Sequence, residues 1–189
     1  MKVGVLALQG AFREHKQALT RLGADVREVR LPEHLEGLAG IVIPGGESTT
    51  MVKLMQLYGL EGALKTFYGE GGAVWGTCAG AIAIAGSIAG RPEQPRLGLL
   101  DIEVARNDYG RQVASFETDL EVKGFPIPFR AVFIRAPRIV SSGPAVEVLA
   151  RYQDDPVMVA HNRLLATVFH PELSGDDRVH AHFLELAGS

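Results

Sequence analysis

The chain holds one cysteine among 189 residues, Cys78, and it lies in Gly76-Thr77-Cys78-Ala79-Gly80. A G-x-C-x-G run that follows an apolar strand and opens a helix has the pattern of a nucleophile elbow, with cysteine in place of serine. The glycines permit a tight, strained turn and leave room for a substrate, and the helix that follows points its positive end at the sulfur, which favours a thiolate. Without that context a lone cysteine is ordinarily a small buried hydrophobe. The elbow is what makes Cys78 a candidate nucleophile.

A cysteine nucleophile needs a base, and His170 in Phe169-His170-Pro171-Glu172 is the candidate. Pro171 biases His170 toward extended geometry, and alternation along an extended segment then projects residues 170 and 172 from one face. Glu172 would accept a hydrogen bond from one ring nitrogen and fix the tautomer, leaving the other nitrogen to exchange protons with Cys78. Taken singly, such a histidine is a structural residue and such a glutamate a solvated one; their joint occurrence with the elbow carries the assignment. A third piece is Pro44-Gly45-Gly46-Glu47-Ser48-Thr49-Thr50. Its glycines can present backbone N–H groups to a developing oxyanion, alongside the N–H of Ala79. The same stretch also reads as a plain strand-to-helix loop with Ser48 or Thr49 as N-cap, and both readings can hold. No phosphate-cradling or dinucleotide-binding glycine fingerprint occurs.

The elements that must position these groups alternate in the first half of the chain. Strands are expected at 3–8, 26–31, 41–43 and 73–75. Helical patterns fill 11–22, 34–38, 49–68 with a break near Gly59, and 79–85. That alternation predicts a doubly wound, flavodoxin-like α/β fold: a mainly parallel sheet flanked by helices. Beyond Gly90 the strand-like runs at 100–104, 113–116, 120–122 and 132–134 lack intervening helices, which predicts an antiparallel or mixed excursion. Runs at 146–152, 157–161 and 165–169 and a helix over 176–186 close the chain, and residues 1–189 read as one domain.

Composition narrows the partners. A net charge of −3 supplies no basic field for nucleic acid or an anionic membrane. The uncharged stretch Gly71–Gly90 is as long as a membrane span, but its six glycines make it poorly hydrophobic, and a buried strand running into a buried helix explains it better. One cysteine and an N-terminus that enters directly into a core strand predict a reducing, cytoplasmic setting.

The chain resembles the class I (triad) glutamine amidotransferases, and within them the glutaminase subunits of pyridoxal 5'-phosphate synthases. The resemblance runs through 4–11 with Glu14-His15, 43–50, the elbow, the Arg106–Gln112 run, Ser115-Phe116-Glu117, 133–137 and 169–173. It implies that Cys78, His170 and Glu172 form a triad, and that Gly46, Glu47, Ser48, Arg106, Ile134 and Arg135 hold glutamine. Composition alone would leave the two arginines on the surface and Ile134 in the core. It further implies hydrolysis of L-glutamine to L-glutamate through a γ-glutamyl thioester, with no cofactor and no metal. The ammonia would pass to a separate (β/α)8-barrel synthase subunit that docks on the glutamine-site face. The alternatives are a cysteine hydrolase of the same fold acting on another γ-glutamyl or peptide substrate, and a noncatalytic regulatory subunit. His180 and His182, two apart on a predicted helix, face different directions and do not make a metal pair. Arg13, His15 and Lys16 read as the solvated face of the first helix, or as part of the docking surface.

Overall fold

The computed structural model describes residues 1–106 and 115–189. Asn107–Gln112 of the family run, and residues 113–114 of the expected 113–116 strand, lie outside them. Four short apolar runs become the parallel strands β1 (Lys2–Leu6), β2 (Asp25–Val29), β3 (Gly40–Ile43) and β4 (Ala73–Thr77). They are linked by α1 (Phe12–Arg21), a 3-10 turn at Pro32–Leu35, and the pair α2 (Ser48–Leu57) and α3 (Leu60–Gly69). The break expected near Gly59 is there: Gly59 takes φ 72°, the left-handed conformation that glycine adopts without a Cβ penalty.

Elbow helix α4 (Ala79–Ile84) leads out of the parallel core into β5 (Ala85–Ile88), β6 (Leu100–Ala105), β7 (Ser115–Leu120), β8 (Phe129–Ile134) and β9 (Arg138–Ser142). These form a three-stranded sheet, β5-β6-β9, and a β7-β8 hairpin. The excursion is mixed rather than wholly antiparallel, because β5 pairs with β6 in parallel. Strands β5 and β9 are additional to those expected, and β7 takes in residues 115–116 of one expected run and Leu120 of the next, while Val122 makes an isolated bridge to Ala150. The chain then returns through β10 (Glu147–Tyr152), β11 (Asp155–His161) and β12 (Leu164–Thr167) to α5 (Arg178–Gly188).

The main sheet has seven strands in the order β10-β11-β12-β4-β3-β1-β2. Strand β12 lies parallel to β4, while β10 and β11 extend that edge antiparallel. Helix α1 packs on α5, and α2 packs on α3 and α4. One continuous cluster of buried apolar residues runs from Val3 to Ala187 and includes Trp75, Phe129, Phe133, Phe169 and Phe183. The uncharged 71–90 stretch is divided among β4, α4 and β5, and among the described residues no helix is long and apolar enough to cross a membrane.

Ligands of open α/β sheets collect at the carboxyl ends of the strands. Here Ile43 pairs with Gly76 and Thr77 with Thr167, so β3, β4 and β12 end side by side. The loop at Gly45–Gly46, the elbow at Cys78 and the segment to His170 therefore leave the sheet together.

Candidate active site

Cys78 carries φ 49° and ψ −106°, a conformation that costs a non-glycine residue on the order of 1–3 kcal/mol and that tight packing must enforce. The flanking glycines act by size. A Cβ on Gly76 would stand 2.4 Å from Gly80 O, and one on Gly80 would stand 1.9 Å from Ile43 O. The strain thus falls on the cysteine itself, while the glycines allow β3, β4 and α4 to approach closely. Gly45 serves the same end, since a Cβ there would meet His170 Cε1 at 2.6 Å.

His170 is brought to the elbow by backbone bonding, its N–H donating to Val132 O at 2.8 Å while Cys78 N–H donates to Thr167 O at 2.8 Å. His170 Nδ1 lies 2.7 Å from Glu172 Oε1. The expected pairing of 170 with 172 is present, but its geometry differs from the expectation. Pro171–Leu173 form a 3-10 turn, so Glu172 folds back under His170 rather than projecting beside it from an extended strand. A proline at the first position of such a turn has a suitable φ and no N–H to leave unpaired.

Electrostatics separate the pair. Burial works against a charge on His170, but hydrogen bonding to Cys78 and Glu172 outweighs it and pushes the imidazole up to about 10. Burial also pushes Glu172 up; His15 and His170 pull it further the other way, and its carboxyl rests below the usual glutamate range. An imidazolium held against Glu172 at the elbow is placed to give a proton to a leaving group.

A cleft of about 400 Å³ opens over the sulfur, a volume suited to a small molecule. Gly46, Glu47, Ser48, Cys78, Ala79, Arg106, Ile134, Arg135 and His170 all line it, together with Ile82 and Pro137. Of the ten residues singled out in the sequence only Glu172 is elsewhere, buried behind His170. Cys78 Sγ faces Ile134 O at 4.0 Å, and Arg135, which follows β8, has φ 42°.

The wall at Glu47 is built differently from the expected loop. Glu47, not Ser48 or Thr49, is the N-cap of α2, accepting from Thr49 N–H at 3.0 Å and Thr50 N–H at 2.7 Å. Its partial burial opposes charge, yet these donors prevail and hold the carboxyl at about 2. Arg106 is committed to the same wall, donating to Gln94 Oε1 at 2.7 Å, Thr49 Oγ1 at 3.2 Å and Glu47 Oε1 at 3.3 Å. Ser48 is buried, and its hydroxyl accepts from Gln94 at 3.2 Å. Gln9 clasps the backbone of Glu47 from both sides, Nε2 donating to Glu47 O at 2.7 Å and Oε1 accepting from Glu47 N–H at 3.3 Å.

Three residues without an individual role in the sequence reading thus bear on the site: Gln9, Gln94 and His15. His15 corrects an expectation, for it is fully buried and not on a solvated face. Its Nε2 stands 3.3 Å from Glu172 Oε2 and its Nδ1 stands 2.9 Å from His180 Nε2. The inward stripe of α1 at His15, Ala18 and Leu19 explains the burial, and Phe12, three residues before His15, was the available signal. Arg13 is exposed, as expected, and Lys16 pairs with Glu28 at 3.0 Å.

The chain is similar to known proteins along its whole length. A protein of Deinococcus radiodurans named pyridoxal 5'-phosphate synthase subunit PdxT is 57% identical over 192 residues, spanning 100% of this chain and 98% of its own. One of the same name from Thermus thermophilus is 59% identical over 187 residues, spanning 98% and 97%. A crystal structure described as a glutamine amidotransferase superposes with a TM-score of 0.95 at 58% identity, covering 99% of both chains. Residues 5–188 match the family model described as SNO glutamine amidotransferase. This chain belongs to the SNO glutamine amidotransferase family.

Proposed function

We propose that this chain is the glutaminase subunit of a pyridoxal 5'-phosphate synthase. Residues 1–189 act as one glutaminase domain that hydrolyses L-glutamine to L-glutamate and supplies the ammonia to a partner (β/α)8-barrel subunit for vitamin B6 synthesis. The observation that carries the reading is Cys78 at the strained head of α4, lining a cleft of amino-acid size together with a His170 that Glu172 holds from behind. Full-length similarity to proteins named as subunits of that synthase supports this choice of substrate and partner. A cytoplasmic setting suits a lone cysteine that must stay reduced.

In this reading glutamine enters with its carboxamide over Cys78. The exposed Arg135 offers a guanidinium to the α-carboxylate, while the wall fixed by Glu47, Ser48 and Arg106 shapes the remainder. The Cys78 thiolate attacks the amide carbon, forming a C–S bond, and the N–H groups of Gly46 and Ala79 take the oxyanion. His170 gives its proton to the departing nitrogen as the C–N bond breaks, releasing ammonia and leaving a γ-glutamyl thioester. Water then adds to the thioester with His170 as base; the C–S bond breaks, glutamate leaves and the thiolate and imidazolium are restored. Glu172 stays ionised throughout and stabilises the imidazolium, as the acid of a triad does.

The test is ammonia release from glutamine by the wild type and by Cys78→Ala, each with and without the barrel subunit. Release by the wild type in the complex and none by Cys78→Ala is expected. Equal rates for the two proteins in every condition would overturn the proposal.

A further inference from the structure

Behind His170 lies a group of polar side chains that hydrolysis as written above does not use. His15 from α1, Thr77 from β4 and His180 from α5 are all fully buried, as is the side chain of Glu172. The edge of the Trp75 indole closes the group, its ring centroid 5.4 Å from His15 and 4.9 Å from His180. Buried polar groups persist where they are hydrogen-bonded, so each proton here has to be accounted for.

One nitrogen settles the account. His180 Nδ1 is buried with no hydrogen-bond partner among the described residues. A proton on that atom would be a dry, unpaired N–H, among the costliest of buried groups, whereas a bare lone pair costs less. The His180 proton is therefore on Nε2, which donates to His15 Nδ1 across 2.9 Å. His15 must then carry its own proton on Nε2. That N–H bonds Thr77 Oγ1 at 3.2 Å, and Glu172 Oε2, which has no hydrogen-bond partner among the described residues, lies 3.3 Å from the same nitrogen. The other carboxylate oxygen, Oε1, is already engaged by His170 Nδ1 at 2.7 Å.

We infer that His15 is a positioning residue for glutamine hydrolysis: its Nε2–H is placed to take the second oxygen of Glu172, and His180 fixes the tautomer in which it does so. The triad thus continues as a buried line from Cys78 through His170, Glu172 and His15 to His180. The inference rests on the proposed reading of Cys78, His170 and Glu172. Glu172 Oε2 has no hydrogen-bond partner among the described residues, His15 Nε2 stands 3.3 Å from it, and hydrogen bonds around a catalytic group tighten when the substrate is bound. Burial keeps both histidines below their ordinary range, so His15 acts as a neutral donor. The charged groups that face this pair are Glu172 and His170 from the 170–173 segment, Glu14 on α1, and Asp177 and Arg21 beside His180.

The experiment measures kcat, KM and the pH profile of glutamine hydrolysis in the complex with the barrel subunit, for wild type, Cys78→Ala, His15→Leu, His15→Gln and His15→Asn. Gln carries an amide nitrogen to about the position of the imidazole Nε2, whereas Asn reaches only as far as Nδ1. Losing one hydrogen bond to a charged group predicts that His15→Leu and His15→Asn lower kcat about 10- to 100-fold with KM little changed. Their acid limb should move up in pH by about one unit or more, because a buried carboxyl with fewer donors titrates higher. His15→Gln should restore most of the rate and return the limb. Wild-type kcat and profile in His15→Leu, or equal losses in all three variants with the limb unmoved, would overturn the inference. Should His15→Leu not fold, the Gln and Asn pair decides alone. Full activity in Cys78→Ala would instead sink the proposed function, and the two failures are thereby distinct.

Discussion

His170 divides the site into two unlike halves. On the cleft side the walls are at least partly open to solvent: Glu47 has a half-exposed side chain, Arg135 is exposed, and Arg106 is held by several polar groups. On the far side Glu172, His15, His180, Thr77 and Trp75 are dry. A hydrogen bond or charge in such a dry group is worth far more than one in the cleft, where water competes. The cleft side is therefore built to choose and hold a ligand, and the dry side to set the reactivity of the groups that act on it. Changes in front should show in KM, and changes behind should show in kcat.

The reacting atom itself should give the largest effect. Cys78→Ala removes the atom that forms the thioester, so ammonia release in the complex should fall by about 10⁴-fold or more, to background. Glu172→Gln comes next and tests the dry side directly. Glu172 faces a donor at each oxygen, His170 at 2.7 Å and His15 at 3.3 Å, and a neutral amide can accept at only one end. A fall in kcat of about 10²- to 10⁴-fold with KM unchanged is expected from steady-state kinetics, in line with other triads that lose their acid. A rise in KM with kcat intact would erase the division.

Much of this was legible in the sequence, and the two halves differ in how much. Although Arg106, Ile134 and Arg135 entered only through the family resemblance, much of the cleft side is made of local segments with strong signatures, namely the glycine pair after a buried strand, the elbow, and a histidine before a proline. The parallel half of the fold was legible for the same reason, because short apolar runs alternate with helical stripes. Of the dry side only Glu172 was legible, through its spacing from His170, since His15, Thr77 and His180 are single residues that only the folded sheet brings to it. His15 belongs to the apolar stripe of α1, but a histidine flanked by Arg13, Glu14 and Lys16 reads as one more solvated polar residue. Local chemistry also hid Glu47 as N-cap, because serine and threonine are the commoner choices and both follow it at once. Strands β5 and β9 escaped notice because Ala85–Ile88 continues the composition of α4 and Arg138–Ser142 is polar over much of its length.

A smaller effect belongs to the front. Arg135→Ala removes the guanidinium proposed to meet the α-carboxylate of glutamine, and no salt bridge joins Arg135 to another described residue. Its loss should leave the rest of the wall standing. KM for glutamine should rise about 10- to 100-fold, the worth of a hydrogen bond to a charged group, with kcat within a few-fold of wild type. A change confined to kcat would place Arg135 with the reactive half.

The gentlest test of the division is the pH dependence of stability, because the two halves shift histidines in opposite directions. Burial holds His15 below its ordinary value of 6.5 and His180 at about 3. Above pH 6.5 neither state carries their protons, and this contribution is fully present. Below it the unfolded chain takes up protons that the folded chain refuses, so stability falls by about 1.4 kcal/mol per pH unit for each histidine, continuing toward the folded value. His170 runs the other way: burial opposes its charge, Cys78 and Glu172 overcome that, and its folded value rises to about 10. Its contribution is complete below pH 6.5 and is lost as pH climbs through 10. Urea midpoints between pH 5 and 8 should therefore pass through a maximum near pH 6.5. His180→Leu should flatten the acid limb, and Cys78→Ala the alkaline limb. If His180→Leu left the acid slope untouched, the buried histidines would not be neutral, and the tautomers assigned to the dry side would have to be redrawn.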